Sequence, residues 1–222
     1  MCGRFTLTNS QYADIARSFG IRRAAPDWAA EYRPRFNVAP GDFHLILRPE
    51  KGEPILERAE WGLIPSWAKE PRGFMNARLD SADVKPAFRS AFRSRRCAIP
   101  ADGFFEWTGD KTDRRPYWFR LEKGGLFAFA GLFEDWTDPK LKVPRRTFTI
   151  LTTEAQGAVR EIHDRMPVIL EPDQADEWLE KSTDPKAFVS KLPPPNLVAS
   201  EVSKRVNSPR NDDPSVLESR AG

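Results

Sequence analysis

Cysteine is scarce in this 222-residue chain, which holds only Cys2 and Cys97. Two such residues build no disulfide framework, and their isolation fits a reducing compartment. Histidine is equally rare, with His44 and His163 alone. There is no Cys-x-x-Cys, no His-Glu-x-x-His and no local ligand cluster, so no metal is expected. Walker and Gly-x-Gly-x-x-Gly loops are also missing, so nothing calls for a cofactor. The first residues form no apolar signal region, and no apolar run reaches membrane-spanning length. A soluble, cytoplasmic chain without a membrane partner is expected.

What the chain does contain is apolar bulk. Hydrophobic residues make up 40%, with seven Trp and fifteen Phe, enough for one globular domain with a full core. Nothing demands more than a monomer. Charge is nearly balanced, 35 Lys and Arg against 32 Asp and Glu, so net charge does not mark a nucleic-acid binder. Its distribution is less even. Arg72, Arg78, Lys85, Arg89, Arg93, Arg95 and Arg96 are opposed in their stretch only by Asp80 and Asp83. Such a segment can track a phosphate backbone, or it can be the solvated face of a helix.

Periodicity and punctuation predict the elements. Asn9 or Ser10 can cap a short helix through Ile15 to Phe19, ended by Gly20. Pro26, Pro34 and several charges suggest a loop from Ala24 to Asn37. Strands are expected at Phe43–Arg48 and Ile55–Trp61, and Pro86 at a helix start through Phe92. Aromatic and β-branched runs follow at 97–99, 104–107, 117–121, 126–132 and 147–152. Pro-Ala-Asp-Gly separates the first two as a turn, and Gly124-Gly125 suggests a hairpin. Short helices fit 155–162, 174–179 and 185–189, before a last strand at 197–202. The fold class expected is α+β: a single domain over residues 1–203, with an antiparallel-sheet, barrel-like core and peripheral short helices. Residues 204–222 are polar and lack periodicity, so a mobile tail is expected there.

Several residues could do chemistry. Initiator methionine is readily removed before a small residue, which would leave Cys2 with an α-amine beside its thiol. That pair condenses with an aldehyde to an imine, and the sulfur then closes a thiazolidine ring. The amine pKa near ~8 and the thiol near ~8.5 leave usable neutral amine at physiological pH. Cys2 could equally be a small buried residue on a first strand. His163 can carry protons near neutral pH, or simply be a hydrogen-bonded structural residue. Glu106 sits in Phe104-Phe105-Glu106-Trp107. Facing inward it would be a carboxyl of raised pKa, able to act as an acid; facing outward it would only be solvated. Asn76 could hold an oxygen or belong to a turn. Pro40, Trp61 and Trp67 could stack on unpaired bases or pack in the core.

The ordered blocks Met1-Cys2-Gly3-Arg4-Phe5, Arg35-Phe36-Asn37-Val38-Ala39-Pro40, Trp61-Gly62-Leu63-Ile64-Pro65-Ser66-Trp67, Asn76-Ala77-Arg78, Cys97 to Trp107 and His163-Asp164-Arg165-Met166-Pro167 resemble the SRAP (SOS response-associated peptidase) family. Any one block is weak, whereas the set in this order, from Met1 to about Val202, is specific. The resemblance implies recognition of abasic sites in single-stranded DNA and a covalent link through the amino-terminal cysteine. It implies Cys2 as nucleophile with Asn76, Glu106 and His163 as supporting catalytic groups. It also implies a DNA-binding set of Arg4, Asn37, Pro40, Trp67, Arg78 and Arg165, with Arg4 and Arg78 on phosphates and Pro40 and Trp67 against bases. A preference for junctions between single and double strands stays open. So do two other readings: an amino-terminal-nucleophile peptidase, and a non-covalent binder of modified or single-stranded DNA.

Overall fold

The computed structural model describes residues 2–9, 11–21, 26–110 and 113–219. Its strands are β1 (Phe5–Leu7), β2 (Arg35–Val38), β3 (Phe43–Glu50), β4 (Glu53–Trp61), β5 (Asn76–Arg78), β6 (Arg96–Ala101), β7 (Gly103–Thr108), β8 (Arg115–Leu121), β9 (Phe127–Thr137), β10 (Pro144–Glu154), β11 (Arg165–Pro167), β12 (Ile169–Leu170) and β13 (Leu197–Glu201). The helices are short: α1 (Tyr12–Ser18), α2 (Pro26–Glu31), α3 (Arg89–Ser94), α4 (Gly157–Arg160), α5 (Gln174–Leu179) and α6 (Pro185–Lys191).

Two sheets carry the molecule. One runs β13-β8-β7-β1-β2 and is antiparallel throughout. The other runs β11-β10-β4-β3-β6-β9-β12, and a further β9–β10 pairing closes β10-β4-β3-β6-β9 into a ring. The barrel-like, mainly antiparallel core with short peripheral helices is therefore what the chain forms. The exceptions to antiparallel pairing are β10 with β4 and β10 with β5.

The β3–β4 hairpin follows from local chemistry. Lys51 and Gly52 both take positive φ, 51° and 89°, the geometry a tight two-residue reversal needs. Other punctuation acts differently from the expectation. Residues 100–103 make no hairpin; they carry the chain from β6 in the closed sheet to β7 in the open one. Asp102 holds that crossing, accepting from Thr6 Oγ1, Thr8 N and Thr8 Oγ1, each at 2.6 Å. Gly103 is required because a Cβ there would strike the Trp118 indole. Gly124 and Gly125 likewise turn the chain between sheets rather than within one, since β8 and β9 do not pair.

Several boundaries also move. The loop expected at 24–37 contains α2 and β2, while Ala24 and Ala25 lie outside the described residues. Pro86 does not open a helix. Phe88, at φ −121°, breaks helical geometry while its ring meets Phe74 edge-on at 5.4 Å, and α3 begins at Arg89. Asn9 caps no helix; its Oδ1 accepts from the Gln11 amide, and Ser10 lies outside the described residues. The helix expected over 155–162 shrinks to α4, because Gly157 enters it at φ 52°.

Alternating residues of β3, β6 and β9 feed two cores. Ile46, Cys97, Ile99 and Phe129 join Phe5, Phe104 and Phe119 of the open sheet. Leu45, Leu47, Ala98, Ala130 and Leu132 pack under α1, α3, α5 and α6. With both faces covered, β9 reads as a continuous apolar run rather than an alternation.

Over residues 204–219 the structure departs from the expected mobile tail, and residues 220–222 lie outside the described residues. Residues 204–207 and 214–217 form 3₁₀ turns whose Val206 and Val216 are buried against Phe105 on the second face of the open sheet. Asp212 fastens this segment to β2, accepting from Phe36 N at 2.6 Å and Asn37 N at 2.8 Å and pairing with Arg35. A polar composition concealed it, because two valines and a set of hydrogen bonds to distant residues, those of Asp212 among them, make the attachment. Asp212→Ala should lower the unfolding free energy by about 1.5–3 kcal/mol in urea titrations.

Candidate active site

The site is built where the edge of β1 meets the end of β7. β1 lies between β2 and β7, with Phe5 opposite both Val38 and Phe104. The Phe105 amide donates to the Arg4 carbonyl at 3.0 Å, which sets Glu106 beside the residues preceding β1. Cys2 is fully buried there. Its thiol donates to the Arg4 carbonyl at 3.7 Å, a weak sulfur contact, and its own carbonyl accepts from Asn76 Nδ2 at 2.8 Å. Asn76 reaches it because β5 runs parallel to β10, with Asn76 opposite Ile150. Asn76 Oδ1 is buried and has no hydrogen-bond partner among the described residues.

Glu106 is also buried, although Phe105 beside it is buried on the opposite face. The choice between an inward glutamate and inward aromatics thus dissolves, because the 3₁₀ segment covers the sheet's second face. Burial pushes the Glu106 carboxyl above its ordinary range, and the amino-terminal charge and, after it, that of His163 only partly offset this. Burial, reinforced by the Glu106 charge, raises the Cys2 thiol far more. Cys2 is therefore no pre-formed thiolate.

His163 follows α4, its amide donating to the Val159 carbonyl at 2.8 Å. Its Nδ1 lies 2.9 Å from the Arg165 amide and 2.8 Å from Asp164 Oδ1. The amide can only donate, so in the neutral ring Nδ1 accepts and the proton sits on Nε2. A protonated ring would instead donate from Nδ1 to the Asp164 carboxylate. The other histidine is structural: buried His44 contacts the Pro100 carbonyl at 2.9 Å, and burial lowers its pKa to about 4.

A cleft of about 570 Å³ opens over these groups, lined in part by Gly3, Arg4, Pro40, Glu106 and His163. A second, of about 690 Å³, continues beyond His163 to Arg78 and Arg160. Cys2, Asn76, Glu106 and His163 are thus brought together, with Arg4, Pro40 and Arg78 around them. Trp67 stands apart on the 62–75 loop at 66% exposure, outside the core, whereas Trp61 is buried in it.

Two expected DNA contacts are placed differently. Asn37 is fully buried; its Nδ2 donates to the Val206, Ser208 and Asn211 carbonyls, and its Oδ1 accepts from Arg4 at 3.1 Å. It orients Arg4 and offers no surface. Arg165 is buried too, donating to the Thr152 carbonyl at 2.7 Å and pairing with Asp80 at 3.4 Å. The basic stretch also divides, since Arg96 is buried against the Trp178 carbonyl and Arg95 pairs with Glu134. Sequence reasoning missed Arg114, Lys204 and Asn207, which also line the first cleft. A local signal for that wall is Ser203, whose side chain accepts from the Arg205 amide and caps the 204–207 turn.

Among the described residues no three His, Cys, Asp or Glu side chains group to hold a metal, and no helix is long and apolar enough to cross a membrane. The fold and site define a protein with a buried thiol and a buried carboxyl beside a cationic cleft. Residues 1–209 match the family described as SOS response associated peptidase (SRAP), and the chain belongs to that family. It is 43% identical over 227 residues to the Bacillus subtilis abasic site processing protein YoqW, covering 99% of this chain and 100% of that one. With the chicken abasic site processing protein HMCES it shares 32% over 260 residues, covering 98% of this chain and 77% of that one. A Bacteroides thetaiotaomicron crystal structure matches in fold, with TM-score 0.85, 23% identity and 99% and 100% coverage. The crystal structure of a phage-related protein of Bordetella bronchiseptica matches with TM-score 0.71 and 26% identity, covering 91% of this chain and 95% of that one.

The raised Glu106 pKa carries a stability consequence. The folded chain holds this proton more tightly than the unfolded chain, so stability falls as pH rises from the ordinary carboxyl range to the folded pKa. Glu106→Gln removes that penalty. Its Tm should exceed wild type at neutral pH, and the gain should vanish below about pH 4.

Proposed function

We propose that this protein recognises abasic sites in single-stranded DNA and links to them covalently through Cys2 once Met1 is removed. The observation that carries the reading is the buried Cys2, its carbonyl held by Asn76, beside Glu106 at the floor of a cleft lined by Arg4 and His163. The abasic-site names of relatives that align over nearly all of this chain support it.

An abasic deoxyribose is mostly a closed hemiacetal, so ring opening comes first. Glu106, predisposed by burial to hold a proton, gives it to the ring oxygen, and His163 assists at the sugar hydroxyl. The free aldehyde then takes the Cys2 amine. The carbonyl oxygen leaves as water and a C=N bond forms. Because the thiol is held neutral, sulfur follows nitrogen: the S–C bond closes as the thiol proton moves, by way of the nearby bases, to the ring nitrogen. The net change is loss of one water and a five-membered thiazolidine. Asn76 Oδ1 is an acceptor suited to the amine or a sugar hydroxyl during these steps. Confining amine, thiol and aldehyde makes ring closure intramolecular, where effective molarities of ~10⁵ M or more are available. A lesion must be splayed from its strand to reach this floor, which selects single-stranded DNA. Pro40 and the exposed Trp67 supply surfaces for flanking bases, at ~1–3 kcal/mol per stacked base for an aromatic ring, and Arg4 and Arg78 take phosphates.

The expected outcome is a denaturant-resistant adduct on abasic single-stranded oligonucleotides that Cys2→Ala abolishes in gel assays. Cys2→Ser should leave only an imine that borohydride traps. An adduct of wild-type yield from Cys2→Ala would remove the thiazolidine route. A second reading, self-removal of Met1 by the same groups, is favoured by the family's description as a peptidase. Intact mass of Glu106→Ala decides it: self-processing requires Met1 to be retained, whereas its absence assigns the step to another enzyme.

A further inference from the structure

The two clefts that meet at His163 differ in charge. Beyond His163, Arg78, Arg160 and Arg165 share their walls with four carboxylates, Asp80, Glu154, Glu161 and Asp164. On the near side Arg4, Arg114 and Lys204 line the cleft with one carboxyl, the deeply buried Glu106, and the exposed Asp113 stands beside Lys204. That wall is built by two elements that the tertiary fold alone unites: the residues entering β8 and the first 3₁₀ turn of the carboxy-terminal segment. Trp107 Nε1 donates to Asn207 Oδ1 at 2.7 Å, and Arg4 donates to the Val206 carbonyl at 2.7 Å, so the turn is fixed to the floor. Lys204 Nζ reaches Asp113 Oδ1 at 2.8 Å, with Lys204 42% and Asp113 71% exposed, so a stronger anion in the cleft can draw the ammonium away.

We propose that Arg114 and Lys204, with Arg4, form a phosphate-binding site that grips one flank of the bound strand more strongly than the other. This rests on the DNA reading above and adds to it a direction. The ligand chemistry is the phosphodiester backbone: cations reaching a solvent-open cleft from separate segments suit successive phosphates. Asp113 tempers the grip by competing for Lys204.

The test uses full-length protein and single-stranded oligonucleotides bearing an abasic analogue without an aldehyde, so that binding is separated from the covalent step. Affinity is measured by fluorescence anisotropy across a fourfold salt range. Three probes are compared, with the lesion central, at the 5′ end or at the 3′ end. Arg114→Gln/Lys204→Gln should reduce the salt slope by about 1.4, a roughly 7-fold smaller loss of affinity over that range. The weakening should appear with the central lesion and with only one of the end-lesion probes. Asp113→Asn should tighten binding to those same probes, an effect that mere damage to the fold would not produce. Thermal unfolding should be unchanged in all three backgrounds, since these side chains are exposed. An unchanged slope, equal weakening on both end-lesion probes, or no DNA binding by the wild type would overturn the phosphate site. Wild-type binding with the expected slopes, but no adduct on aldehyde-bearing abasic DNA, would sink the abasic chemistry and leave the phosphate site standing.

Discussion

A three-residue strand, β1, is paired along both edges, by β2 on one side and β7 on the other. This double pairing immobilises residues that in most chains would fray. Because Phe5 packs among Trp61, Phe129 and His44, at 5.0, 5.5 and 4.6 Å between ring centroids, the strand cannot slide without emptying a core. A shift of one residue would turn Phe5 and Leu7 onto the wrong faces. Cys2 is therefore held in a single place by packing that begins three residues away. The chemistry proposed for it needs that precision, since amine, thiol and aldehyde must meet at bonding distance.

Around this strand the site sets desolvation against charge. Cys2 and Glu106 are buried, which favours their neutral forms, while Arg4 is half-buried and Arg114 and Lys204 are exposed where solvent and a polyanion can reach them. On the proposed reading, the buried carboxyl serves proton transfer and the cations serve capture of the strand. Asn37 joins the two regions. It is buried, bonds three carbonyls of the carboxy-terminal segment, and presents its remaining oxygen to Arg4.

Much of this could be read from residue order. The aromatic runs became β7 to β10, and α5 occupies the residues expected for it. Cys2, Asn76, Glu106 and His163, drawn from separate blocks, lie close together in the fold. Other features were hidden because local signals are ambiguous about partners. Asp-Gly at 102–103 marks a change of direction, and nothing local distinguishes a hairpin from a crossing between sheets. Asn37 and Arg165 are polar and lie in the matching blocks, yet both are buried and serve the scaffold. The segment after Lys204 reads as solvated because its few apolar residues, Val206 and Val216, are spaced for turns and not for a helix or strand.

The amino-acid order by itself determined most strands of the two sheets, and the presence of a thiol, a carboxyl, an amide and an imidazole in one chain. These depend on backbone sterics and side-chain chemistry, which are local. Only the tertiary structure decided which carboxyl is desolvated, which arginines are scaffold and which face solvent, and that residues near 204 wall the cleft. Those properties depend on what lies across a sheet or over its second face. Burial and electrostatic field are set by neighbours distant in the chain, here as far apart as Arg4 and Val206.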